Sequence, residues 1–175
     1  MKFTSSFYLT AVLLSGVIFP AYAHGPTPQK TDQSALINAA PAVVWKKLSE
    51  ACAIATWHSE VSNCESSTAL KRTLTLKNGG KINEEIDEIL PAEMTISYRL
   101  GGDMDIKALP VSSLTGRIKV VAEGAGSRVS WLARYYRADT TNEPPKGLDD
   151  ESAQKAVNAY VKAALEGLEH VSAKK

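Results

Sequence analysis

The chain has 175 residues, 44% of them hydrophobic, with 20 Lys and Arg against 19 Asp and Glu. That length suits one domain with a real core. The balanced charge excludes the strongly basic character of a nucleic-acid or anionic-membrane binder, and past residue 23 no apolar run reaches the length of a membrane span.

Lys2 opens the chain, FYLTAVLLSGVIF follows, Pro20 breaks the run, and Ala21 and Ala23 stand at the small-residue positions of a cleavage site. Residues 1–23 therefore read as a secretory signal peptide cut after Ala23, which predicts a periplasmic protein. The polar, proline-rich HGPTPQK (24–30) reads as a flexible leader, and 31–175 as a single domain. Cleavage would leave His24 at the N-terminus, where α-amine and imidazole can chelate copper. No second ligand is evident, so neither a metal nor a cofactor is expected.

DQSALINA carries the first strand signal. PAVVWKKLSEAC reads as a helix with Pro41 at its first position and with Val44, Leu48, Ala51 and Cys52 on one face; Trp45 widens that face as plain core. IATWH reads as a second short helical turn. ALKRTLTLKNGGKINEEIDEIL is a hairpin around Asn78-Gly79-Gly80. Leu70, Leu74 and Leu76 share a face with Arg72, and Ile82 and Ile86 share one with Glu84. A three-residue loop at 78–80 sets Leu76 opposite Ile82, Leu74 opposite Glu84 and Arg72 opposite Ile86, diagonal to Glu84.

EMTISYRL alternates, with Met94, Ile96, Tyr98 and Leu100 on one side. Residues 101–112 form a looser connection. A second hairpin sets Leu114, Gly116, Ile118 and Val120 against Tyr135, Ala133, Trp131 and Val129. Asp149 and Asp150 are natural caps for a long last helix. Its apolar stripe runs Ala153, Ala156, Val157, Tyr160, Val161, Ala164, Leu165, Leu168 and Val171. An antiparallel sheet with one long helix laid on it is an α+β architecture.

Few residues offer chemistry. Arg72 and Glu84 are placed on inward faces, where each is costly unless paired. Such a pair either orients a polar ligand group or satisfies only itself. His58 is the one central histidine, but it lacks the partners of a zinc site or a catalytic triad, and it reads as packed behind the second short helix. Tyr98, Trp131 and Tyr135 line an interior that is either a pocket or a filled core. Cys52 and Cys64 either close a disulfide or lie as two buried thiols; an oxidising compartment favours the bond, which would hold Trp57 and His58 at a cavity rim. No phosphate loop or dinucleotide fingerprint appears.

INAAPAVVWKKL, WH before VSNCE, RTLTLKNGGKINEEI, ISYRL, LPVSS and GSRVSWLARY, in this order, resemble the SRPBCC superfamily, also called START or Bet v 1-like. The resemblance implies a helix-grip fold: a curved antiparallel sheet wrapped around the C-terminal helix, two short helices after the first strand, and a cavity between. Arg72 and Glu84 stand where the superfamily's arginine and glutamate do. The signal, the HGPTP start and the CAI..WH segment further resemble the MxaD-type periplasmic accessory proteins of methanol oxidation; Ser59 stands where that type usually has proline. The resemblance implies a non-enzymatic accessory or ligand-binding protein. Its expected partners are methanol dehydrogenase, its cytochrome c, and a small hydrophobic or amphipathic ligand. A cyclase- or hydrolase-like enzyme and a hydrophobe carrier are the alternatives.

Overall fold

The computed structural model describes residues 25–173. The expected signal peptide, residues 1–23, and His24 lie outside that range. Seven strands form one antiparallel sheet in the order β1-β7-β6-β5-β4-β3-β2. They are β1 (Gln29–Ile37), β2 (Val61–Thr68), β3 (Lys71–Leu76), β4 (Lys81–Leu90), β5 (Thr95–Leu100), β6 (Val111–Glu123) and β7 (Gly126–Arg137). Helices α1 (Pro41–Ser49) and α2 (Ile54–Trp57) follow β1, and α3 (Asp150–Ala173) closes the chain. This is the helix-grip α+β architecture expected.

The long helix starts where its caps predict: the Asp149 carboxylate accepts the Ser152 N–H at 2.7 Å. Ala153, Val157, Val161, Ala164 and Leu168 are buried against the concave face of the sheet. A polar seam fastens the helix to β1. Tyr135 donates to the Thr31 hydroxyl at 3.1 Å, and Thr31 donates to Asn158 at 2.8 Å. Gln33 reaches the Asn158 carbonyl at 3.1 Å. Gly167 lets α3 pass close to α2, since a Cβ there would lie 1.8 Å from the Trp57 carbonyl oxygen.

Several local expectations are corrected. β1 begins at Gln29, so the last two residues of the supposed leader are in the sheet. Helix α1 stops at Ser49; Cys52 lies in the turn that follows it. Leu70 is 48% exposed in the turn between β2 and β3, off the inward face.

The β3–β4 register is shifted by two residues: Arg72 faces Glu84 directly and Leu74 faces Ile82. The loop is three residues long but spans 77–79, with Leu76 N–H bonded to the Gly80 carbonyl at 2.8 Å. The left-handed residue this turn needs is Gly79 (φ 80°). Gly80 is in the ladder, pressed against the backbone of Ala108. Parity survives a two-residue shift, so both charged side chains still face inward. The β6–β7 hairpin pairs as expected, Leu114 with Tyr135 through Val120 with Val129.

Candidate functional site

The site is built on the middle of the sheet's concave face. Cross-strand pairing brings Arg72 on β3 to Glu84 on β4, and Ile86 on β4 to Tyr98 on β5. On the next strand Gly116 lies under the Tyr98 ring, where a Cβ would come within 2.1 Å of it; no side chain fits between. Tyr98 in turn accepts the Trp131 indole N–H at 3.0 Å, the two rings meeting edge to face at 6.3 Å.

Arg72 is the hub. Its Nε donates to Glu84 Oε2 at 2.7 Å and its Nη2 lies 2.7 Å from the same oxygen. Its Nη1 donates to the carbonyl of Ala51. Ala51 precedes Cys52, and the Cys52–Cys64 disulfide ties this turn to β2. The expected bond is thus formed, and it anchors the backbone group that holds the arginine. Neither cysteine is free.

Two small chambers flank the ion pair. The first, about 20 Å³, is bounded by Trp57, Arg72, Ile96, Tyr98, Ile118 and Trp131. The second, about 10 Å³, lies under α3 among Glu84, Tyr98, Leu109, Leu114, Val157 and Tyr160. Tyr98 borders both. Each has room for about one water, against several hundred Å³ for a small-molecule site. Leu109 and Tyr160 also line an open groove of about 180 Å³ on the outer side of α3, so those two side chains separate groove from chamber.

His58 caps the end of α2 and is buried, 2% exposed, between Trp57 and Tyr160. It does not stand at a rim. Burial first, then the nearby Arg72 charge, lowers its pKa to about 4. The imidazole is therefore neutral at physiological pH. Its Nδ1 accepts the Glu60 N–H at 3.2 Å, which places its proton on Nε2. That Nε2 has no hydrogen-bond partner, and neither has the hydroxyl of Tyr160, whose ring centroid lies 4.4 Å from that of the imidazole.

The other shifts point the same way. Burial, reinforced by the Glu84 charge, raises Tyr98 and Tyr160. Burial works against the Arg72 charge, but the attraction and hydrogen bond of Glu84 outweigh it, so the guanidinium is held above its ordinary value. Every resolved shift here moves a group away from neutrality.

Of the expected site residues, the structure gathers Arg72, Glu84, Tyr98, Trp131 and Trp57 at the chambers, with His58 behind them. Tyr135 is not there. It is spent on Thr31 in the β1–α3 seam, because it lies farther along β7 than Trp131, opposite Gln29 near the start of β1. Two members were missed: the Ala51 carbonyl and Tyr160. Tyr160 carried one signal, as the only polar-tipped residue in the α3 stripe. Among the described residues no cluster of three metal-ligating side chains occurs, and no helix is long and apolar enough to cross a membrane.

The model of the family described as polyketide cyclase / dehydrase and lipid transport matches residues 28–173. No curated protein matches. Among solved structures, the protein XoxI of Bacillus cereus superposes with a TM-score of 0.68 at 16% identity, covering 83% of this chain and 96% of that one. The Zhui aromatase/cyclase of Streptomyces sp. R1128 gives 0.63 at 15%, covering 83% and 94%. Ara h 8.0201 gives 0.64 at 16%, covering 85% and 100%. Likenesses this distant show a shared fold.

Proposed function

The chain belongs to the polyketide cyclase/dehydrase and lipid transport family, part of the SRPBCC superfamily, and from that premise we propose that it is a binding protein and not an enzyme. One observation carries the reading: burial holds the His58 imidazole neutral and the Tyr98 and Tyr160 hydroxyls protonated across neutral pH. A proton shuttle needs a group poised near the working pH. A neutral histidine, a protonated tyrosine pair and a fixed ion pair make a recognition surface instead. The ligand is a small, largely apolar molecule with one polar end. Its apolar body would lie among Trp57, Ile96, Ile118 and Trp131, and its polar end near Arg72, Tyr98 and Tyr160. The chambers are too small for it as they stand, so binding requires them to widen, the first on its side lined by the exposed Thr68, Ala69 and Lys71.

The proposal extends to export and partnership. The signal-like N-terminus and the disulfide favour a periplasmic location, since such bonds persist there. The MxaD-type segments support service to methanol dehydrogenase and its cytochrome c. Stopped-flow reduction of that cytochrome, with and without the protein, tests the partnership; identical rates overturn it. Native mass spectrometry tests ligand binding. A bound small molecule is expected, released on Tyr160→Phe or Trp131→Ala substitution. A molecule turned over by the wild type and inert with Glu84→Gln in a folded protein would make this an enzyme of the cyclase kind.

A further inference from the structure

The convex side of the sheet, away from the chambers, carries charges the interior does not explain. Arg117 and Lys119 on β6 and Arg134 on β7 are exposed, and none of them forms an ion pair among the described residues. The register puts them together. Arg117 faces Leu132 and Lys119 faces Ser130, so Arg134 is diagonal to Arg117. Arg134 also directly faces Lys30 on β1, and Arg99 on β5 is diagonal to Arg117. Diagonal neighbours on a sheet are about 7–8 Å apart, and like charges placed directly opposite destabilise it. Lys30 is paired with Asp32 and Arg99 with Glu85 and Asp87, so the uncompensated charge is that of Arg117, Lys119 and Arg134 on the adjacent strands β6 and β7.

The patch is not purely basic. Leu132 lies between Arg134 and Ser130 along β7, and Tyr136, 40% exposed, follows Arg134 on the same face. Val121, 40% exposed, follows Lys119 on β6. Arg117 and Arg134 line a shallow open hollow of about 280 Å³ with Asp87, Thr115 and Leu132. Arginine and tyrosine around a small aliphatic centre is the composition of protein-binding hot spots. Asp32, which faces Leu132 and is paired with Lys30, and Asp87, which lines the hollow and is paired with Arg99, disfavour a uniformly anionic lipid surface and suit a partner of patterned charge.

We propose that the outer face of β6 and β7, centred on Arg117, Leu132 and Arg134, docks an acidic protein surface that also presents an aromatic or aliphatic group. This surface is separate from the cavity proposed above, and it stands whether or not that cavity binds a ligand.

The test is NMR titration of the ¹⁵N-labelled protein with three probes: a glutamate–tyrosine copolymer, polyglutamate, and phosphatidylglycerol vesicles. With the copolymer, the amides of Arg117, Lys119, Leu132 and Arg134 are expected to shift. Affinity should fall at least about tenfold in R117E/K119E/R134E and at about 0.5 M salt. K46E/K47E, on the separate groove outside α1, should bind as the wild type. Circular dichroism checks folding, and R117Q/K119Q/R134Q replaces the reversal variant if that one does not fold. Shifts centred on α1, or undiminished binding by the variant, overturn the proposal. Polyglutamate bound as tightly as the copolymer reduces the patch to general anion attraction. Vesicles bound more tightly than the copolymer put a membrane in the partner's place.

Discussion

Among the described residues two ion-paired arginines are largely withdrawn from solvent, and they serve opposite ends. Arg137, at the end of β7, is 7% exposed and donates to Asp150 at the start of α3, to the Asp139 carbonyl and to the Thr141 carbonyl. Its partner Asp150 is 36% exposed, so this pair is a clasp between a loop and a helix end, wetted on one side. Arg72 is 12% exposed, but its partner Glu84 is only 2% exposed. That pair stands between two interior chambers, beside a histidine nitrogen and a tyrosine hydroxyl with no partners of their own. Burial and pairing alone do not mark a site, since both arginines have them. Nor does an unpartnered atom, since Asp150 Oδ1 is one as well; the mark is unspent hydrogen-bonding capacity beside a chamber, which only the Arg72–Glu84 pair has.

Substitution should separate the two most sharply. Arg72→Met strands the Glu84 carboxylate in the interior and should cost about 3–5 kcal/mol in urea unfolding. Arg72→Met with Glu84→Leu should recover most of that loss. Arg137→Met leaves Asp150 to water and should cost about 1.5–3 kcal/mol, the worth of the charged hydrogen bonds removed. Equal costs at the two sites would erase the distinction.

Acid should weaken the Arg72 region first. The His58 pKa is depressed from 6.5 to about 4 on folding, so between those values the unfolded chain binds more protons than the folded one. Stability is therefore complete above pH 6.5 and falls as the pH drops toward 4, by on the order of 3 kcal/mol in all. His58→Gln should flatten the upper part of that slope, where surface carboxylates have not yet begun to titrate. An unchanged profile would mean that His58 is not held neutral by its burial.

Removing the disulfide should act more gently and on one arginine only. Cys52→Ser with Cys64→Ser opens a loop with a sequence separation of 12 and should lose somewhat under about 3 kcal/mol. Freed, the 50–53 turn no longer holds the Ala51 carbonyl on Arg72. The side-chain Nε resonance of Arg72 should move, and that of Arg137 should not. Movement of both would make the disulfide a general brace.

The two hairpins show how far pattern reading reaches. In β6–β7 long alternating runs leave one pairing that buries every apolar residue, and the expected register is the observed one. In β3–β4 the strands are short and two adjacent glycines offer two places for the turn. Alternation decides only the parity, so Arg72 and Glu84 face inward in either register. The observed register sets Gly80 in the ladder against Ala108, 28 residues further along the chain, and no local pattern carries that contact. Tyr135 misleads for a related reason. Its inward direction follows from alternation, while its distance from the chambers follows from its place along β7, beyond Trp131 and opposite Leu114 and Gln29.

The sequence by itself determined what short-range physics controls: the elements, the capped C-terminal helix, the inward faces, the α+β class and the pair of cysteines in reach of one another. Each follows from periodicity, capping or loop length, which act over a few residues. Tertiary structure alone decided that Arg72 meets Glu84 head-on, that the disulfide turn supplies its second partner, and that His58 and Tyr160 converge with partners unmet. Those contacts join residues far apart in the chain, and only the packing of the long helix into the curved sheet brings them together.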